Sequence, residues 1–378
     1  MHPPVVVRTP RGPRPFPWAA ALLALAWAPV PGRAQEPAAQ EDPWKVAPEA
    51  IEFARNAPLF RSAAPLELTL TGPFETIKKK DRGDDAEARP ATLSLRTEDG
   101  RDVTLQLKLE TRGNWRRDRR NCDFPPLWLD LDKHQPELEG TVFEGQNRLK
   151  LYVNCRPGKG DYEQYILQEY LVYPTYNLLT DESFHARLAH VRYEDTDKPE
   201  ESFTSWAFVL EHKDQMAARN EAVPLEAEQI HPALFQPEKA ALEAIFNYMI
   251  GMTDWSSVFR HNVEVIRRMD GQVVPVSYDF DWSGIVNTSY ARPDPKLNIR
   301  SVRERIFQGF CREGVDYEAI FQRFLDHRDQ ILAVWQDAPL LEPDRKQKAV
   351  EYLEEFFDRI SDQGRRERIV RGCYPMPG

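Results

Sequence analysis

The chain has 378 residues, with 60 acidic against 50 basic side chains and a formal charge of −10. So acidic a protein is a poor general nucleic-acid binder, because neutralised phosphates supply most non-specific affinity. Its length can build a large core, as one bilobal unit or as two domains.

Arg8, Arg11 and Arg14 precede an apolar run from Trp18 to Val30, followed by Gly32-Arg33-Ala34. That is the layout of a secretory signal peptide over residues 1–34, cut after Ala34. The apolar run is shorter than the about 20 residues a helix needs to cross a bilayer. Its removal takes away four arginines and no acids, moving the formal charge from −10 to −14. No later segment is apolar enough to cross a membrane, so the expectation is an exported chain, periplasmic or extracellular, with no transmembrane segment after signal cleavage. Cys122, Cys155, Cys311 and Cys373 fit no zinc spacing. In an oxidising compartment disulfides are expected, with three possible connectivities. Cys122–Cys155 with Cys311–Cys373 is favoured, since each pair then stays inside one lobe.

Residues 35–60 are rich in Ala, Pro and Glu and read as a mobile leader with one short helix. Period-two alternation then predicts strands around Leu66–Leu70, Leu93–Leu95 and Val103–Leu109, with Glu98-Asp99-Gly100 as a hairpin turn. Trp128–Leu131 and Leu149–Val153 read as two more. A helix begins at Asp161, carrying Tyr165, Ile166, Glu169, Tyr170 and Tyr173 at helical spacing, and Pro174 should end or kink it. Strands Ala186–Tyr193 and Phe203–Glu211 complete a strand-rich N-lobe over residues 61–212.

Residues 213–378 read as a mainly helical C-lobe. Pro237 starts a helix over Glu238–Ile250 that Gly251 closes. A loop with Asp254 and a hairpin, Val263–Ile266 with Val273–Val276, follow. Asp316 caps a helix running to about Trp335, and an amphipathic helix covers about Arg345–Ile360. Composition and periodicity support an α+β fold with two lobes.

The candidate chemistry gathers between Asp254 and Asp281. Asp254 lies on a loop just after a helix, where a carboxylate can accept a hydroxyl proton; as a structural residue it would cap the next turn beside Ser256 and Ser257. Asn262 offers an amide oxygen or serves as a turn residue. Asp279 and Asp281, two apart on an extended segment, should face one side. Like charges so close repel unless a cation lies between them, and Mg²⁺ or Mn²⁺ is the natural occupant. Large neighbours Tyr278, Phe280 and Trp282 argue against a merely solvated pair. Lys150, on an alternating strand, can bind nucleotide phosphate with Glu169 as its ion-pair partner, or face solvent. Glu211 and His212 end the last strand of the N-lobe, where a connecting segment would hold adenine. Arg112 opens a basic run, Arg112–Arg120, that suits phosphate or an anionic substrate, or a solvated hairpin tip. No Gly-x-Ser-x-Gly elbow or His-Glu-x-x-His helix is present. A two-carboxylate glycosidase stays open.

Several segments together resemble the CotH spore-coat kinase family. They are Thr111-Arg112-Gly113-Asn114, Phe124-Pro125-Pro126-Leu127, Asn147–Leu151, the helix around Glu169, Ala207–Glu211, the Asp254–Asn262 loop and Tyr278-Asp279-Phe280-Asp281. The resemblance covers about residues 65–290. It implies a bilobal, atypical protein-kinase-like fold, with an antiparallel-strand-rich N-lobe carrying one long helix and a mainly helical C-lobe. It also implies transfer of the ATP γ-phosphate to a hydroxyl of a secreted or envelope protein. Asp254 would be the catalytic aspartate, Asp279, Asn262 and Asp281 would hold the metal, and Lys150 would meet phosphate. Trp115 stands where that family has a small hydroxylic residue. The alternatives are a non-catalytic envelope scaffold and a carbohydrate-active enzyme.

Overall fold

Alternating leucines build the first half of the chain, in a computed structural model that describes residues 42–83 and 86–378. The expected signal peptide and the start of the leader lie outside the described residues. Helix α1 (Pro48–Asn56) and a 3₁₀ turn (Pro58–Phe60) form the leader's described part. It is tied down: Arg55 pairs with Glu221 at 2.7 Å, and Arg187 donates to the carbonyls of Leu59 and Ala64.

Seven strands follow: β1 (Leu66–Gly72), β2 (Arg89–Arg96), β3 (Asp102–Thr111), β4 (Leu127–Leu131), β5 (Arg148–Val153), β6 (Ala186–Asp195) and β7 (Phe203–Leu210). They pair in the order β1-β2-β3-β4-β5-β7-β6, and a parallel pairing of β1 with β6, from Leu66↔Ala189 to Gly72↔Asp195, closes them into a barrel. The other neighbouring pairs are antiparallel. Leu68, Leu70, Leu93, Leu105, Leu109, Leu129 and Leu149 fill the interior with Phe74, Phe124 and Tyr193. Helix α2 (Phe74–Lys80) supplies Phe74.

Helix α3 (Gly160–Asn177) joins β5 to β6 and runs on past Pro174. Thr175 Oγ1 donates to the Leu171 carbonyl at 2.7 Å and accepts Trp335 Nε1 at 3.1 Å, fastening this stretch from both sides. Buried side chains surround α3, so it belongs to a second core shared with the C-terminal helices. Beyond α4 (Lys213–Arg219), β8 (Ala222–Pro224), β9 (Val263–Arg268) and β10 (Val273–Ser277) form an antiparallel sheet in the order β10-β9-β8. Helix α5 (Pro237–Ile250) packs on β10. The helix expected from Asp316 to Trp335 is two helices, α6 (Tyr317–Asp326) and α7 (Arg328–Gln336), broken at His327. Helices α8 (Pro343–Ile360) and α9 (Gln363–Val370) complete the chain.

The expected bilobal kinase-like fold is not the one observed. A closed seven-stranded mixed barrel stands where an antiparallel-strand-rich N-lobe was expected. The reason is the parallel β1–β6 pairing, which joins strands far apart in sequence. Period-two alternation reports which face is buried but not whether the sheet edges meet. Residues 42–378 cluster as one compact unit.

Disulfides join Cys122 to Cys155 and Cys311 to Cys373, and no cysteine is free. Among the described residues no helix is long and apolar enough to cross a membrane. The two bridges fit an exported chain.

Candidate active site

Five segments converge on one cleft of about 550 Å³. The loop after β3 contributes Arg112 to Arg116, and β4 and β5 contribute Trp128 and Lys150. The loop between α5 and β9 brings Asp254, Arg260, His261 and Asn262, and the segment after β10 brings Tyr278, Asp279, Asp281 and Trp282. Asp254, Asn262, Asp279, Asp281, Lys150 and Arg112 thus share a single cavity.

The Asp254 loop is fixed at its root. Gly251 ends α5 in the left-handed conformation, φ 68°, and a Cβ there would lie 2.1 Å from the Tyr352 hydroxyl. Its carbonyl accepts the Gly284 N–H at 3.0 Å, tying the loop to the chain just beyond Asp281. Asp254 Oδ1 meets His261 Nε2 at 2.9 Å, and this bond raises the His261 pKa. Asn262 Nδ2 donates to the Asp254 carbonyl at 2.8 Å and to Oδ2 at 3.3 Å. Both hydrogen bonds of the Asn262 side chain use its nitrogen, so the amide oxygen has no hydrogen-bond partner among the described residues.

Backbone strain gathers here. Five non-glycine residues among those described have positive φ, and Arg260, Asn262 and Asp279 of the cleft are three of them, at 51°, 52° and 62°. Asn and Asp tolerate this conformation better than most residues, and such outliers concentrate at functional sites. The expected extended segment through Asp279 and Asp281 is therefore corrected: β10 stops at Ser277, and Asp279 turns left-handed. The Tyr278 N–H still donates to the Asn262 carbonyl at 2.9 Å, and the Asp279 N–H donates to the Tyr173 hydroxyl of α3 at 3.1 Å.

Behind the cleft, Arg116 bridges two buried carboxylates. Its Nη2 lies 2.9 Å from Glu169 Oε2 and 2.7 Å from Asp281 Oδ2, and its Nε donates to Asp281 Oδ2 at 3.1 Å. Tyr290 donates a further bond to Asp281 Oδ2 at 3.0 Å. Burial raises both acids' pKa values against the pull of Arg116. Glu169 therefore pairs with Arg116 and not, as expected, with Lys150. Lys150 has no ion-pair partner among the described residues; its ammonium sits 4.1 Å from the Tyr278 ring centroid. Burial, helped by Arg112, lowers its pKa to about 8. Arg112 is likewise without a carboxylate and lies 4.0 Å from the Tyr152 ring centroid. Glu211 is not in the cleft lining. Its carboxylate is taken by Arg219 at 3.0 Å and by the His185 N–H at 2.9 Å.

One group of acids here could hold a cation. Glu169, Asp279 and Asp281 each place a carboxylate oxygen within 4.8 Å of the others, and the Asp279 carboxylate has no hydrogen bond or ion pair among the described residues. Sequence reasoning missed individual roles for Arg116, His261 and Tyr290. Arg116 was visible only as one member of a basic run, and nothing in the spacing pairs Tyr290 with Asp281. Compared with known protein families and curated proteins, the chain matches none.

Proposed function

We propose that the cleft is a phosphoryl-transfer site, binding ATP with a divalent cation and passing the terminal phosphoryl group to a hydroxyl of a secreted or envelope protein. The observation that supports this most is the meeting of unpaired cations, Lys150 and Arg112, with Asp254, Asp279 and Asp281 in one cavity. The CotH-like residues agree with it, although the fold that the resemblance implied does not. Lys150 and Arg112 would hold phosphate oxygens. Trp115, Trp128 and Trp282 offer flat faces for a base. Asp254, part-exposed at the cleft, would accept the proton of the incoming hydroxyl, while His261 and Asn262 orient its carboxylate. Bound Mg²⁺ or Mn²⁺, with Asp279, Asp281 and the Asn262 amide oxygen as the candidate donors, would neutralise phosphate charge. The working compartment would be the periplasm or the exterior.

Asp254→Asn tests the reading. It should lower phosphate transfer by roughly 10²–10⁴-fold while ATP binding, followed by calorimetry, persists. Undiminished transfer, or no ATP binding with either metal, refutes it. A carbohydrate-active enzyme is the second reading, favoured by the three cleft tryptophans beside carboxylates. It requires activity on a glycan without nucleotide.

A further inference from the structure

Glu169 has a carboxylate oxygen that nothing in the fold accounts for. The residue is 1% exposed, Oε2 is taken by Arg116, and Oε1 is buried with no hydrogen-bond partner. Buried polar atoms are almost always satisfied, so an orphan needs an explanation. Two further acids lie beside it, with carboxylate oxygens of Glu169, Asp279 and Asp281 all within 4.8 Å of one another. Against these three, Arg116 is the one cation in ion-pair contact among the described residues, and it touches Glu169 and Asp281 only. Asp279 is left without a partner among the described residues. The cluster therefore lacks positive charge and a donor at the same place.

The geometry points to Glu169, Asp279 and Asp281 as carboxylate ligands of one divalent cation, with Arg116 as a positioning residue. Three carboxylates supply hard oxygens, suited to Mn²⁺ or Mg²⁺ with water in the remaining positions. Asp279 and Asp281 line the cleft and Glu169 does not, so the ion would sit at the cavity floor with its open side toward the space. Arg116 holds one oxygen each of Glu169 and Asp281, fixing both carboxylates as outer partners of metal ligands commonly do. This deepens the phosphoryl-transfer reading and rests on it for the ion's role, but ion binding itself needs no nucleotide.

The test is titration of Mn²⁺ alone into the disulfide-intact protein, read by the electron paramagnetic resonance of the free ion. One ion should bind, and Glu169→Gln and Asp279→Asn should each weaken it by roughly tenfold or more. Asp279→Asn removes no side-chain hydrogen bond or ion pair among the described residues, so its result stands even if Glu169→Gln misfolds, which near-ultraviolet circular dichroism would reveal. A wild-type protein that ignores millimolar Mn²⁺ overturns the inference. So does a folded Glu169→Gln that binds like wild type. Mn²⁺ binding in this pattern without phosphate transfer would refute the proposed reaction and leave the ion site standing.

Discussion

Removing the Cys122–Cys155 bridge should weaken the protein substantially while sparing the cleft's shape. The bond spans 33 residues, and restricting the unfolded chain over a loop of that length is worth about 4 kcal/mol. Cys311–Cys373 spans 62 residues and is worth slightly more on the same basis. Cys122 lies two positions after the Arg112–Arg120 segment, so the first bridge anchors the loop that carries the cleft residues Arg112 and Arg116. Other bonds hold that loop as well. Asp123 and Phe124 N–H groups donate to the Cys155 carbonyl at 2.9 and 3.1 Å. The Arg82 guanidinium donates to the carbonyls of Arg117, Cys122 and Asp123. The double variant Cys122→Ser, Cys155→Ser should therefore lose up to about 4 kcal/mol in urea unfolding, with a small change in cleft ligand affinity. Reducing both bridges should cost about twice that, comparable with the whole stability of a typical domain, so the reduced chain should be unfolded or nearly so. A loss below about 1 kcal/mol for the double variant would refute the loop-entropy account of this bridge.

Lys150 gives a pH prediction with a definite sign. Its ammonium faces the cations Arg112 and Lys213, the acids Glu264 and Asp279, and the rings of Tyr278 and Trp128, and burial holds its pKa near 8. ATP affinity at fixed Mg²⁺ should fall as pH rises through about 8, and calorimetry showing no such fall would remove Lys150 from phosphate binding. Between about 8 and its ordinary value of 10.5 the unfolded chain holds the proton that the folded chain has lost, so this group's contribution to stability rises with pH there. Glu243 makes the opposite contribution. Fully buried and accepting from Ser277 Oγ at 2.8 Å, it stays protonated up to about pH 8, whereas an unfolded chain ionises it near 4.5. Its contribution to stability should fall as pH rises between those values, by about 1.4 kcal/mol per unit at most. Glu243→Gln should thus stabilise the protein increasingly from pH 5 to 8 in thermal unfolding. A gain that is equal at both ends would sink this reading.

The strands were legible because leucines alternate with polar residues in β1, β2 and β3, and a barrel interior demands the same alternation as a flat sheet. Closure was not legible, since it rests on β1 meeting β6 across more than a hundred intervening residues. Helix α5 and its glycine stop were readable from local chemistry. The break between α6 and α7 was not, because their apolar positions continue across His327. Within the site, the carboxylates and Asn262 stood out as polar groups among large apolar neighbours. The partner of Glu169 could not be read, because Arg116 reaches it from a loop 53 positions away in sequence.

The pattern of what stays unpaired separates a ligand site from a structural ion network. A structural network would bring each buried charge to an opposite one, because an uncompensated buried charge is strongly destabilising. Here Lys150 and Arg112 have no carboxylate partner and Asp279 has no cation among the described residues, although all three line one cavity. The two signs face the same space without neutralising each other. A lone anion would satisfy the lysine and arginine and worsen the position of Asp279. A lone cation would do the reverse, and a neutral sugar would relieve neither. A metal bound to a polyphosphate carries both charges within a few ångströms and complements both groups together. That predicts mutual reinforcement: Mn²⁺ should tighten ATP binding and ATP should tighten Mn²⁺ binding by the same factor. The coupling should vanish in Asp279→Asn. Equal ATP affinity with and without the metal in the wild-type protein would break the argument, because the unpaired charges would then not be sharing one ligand.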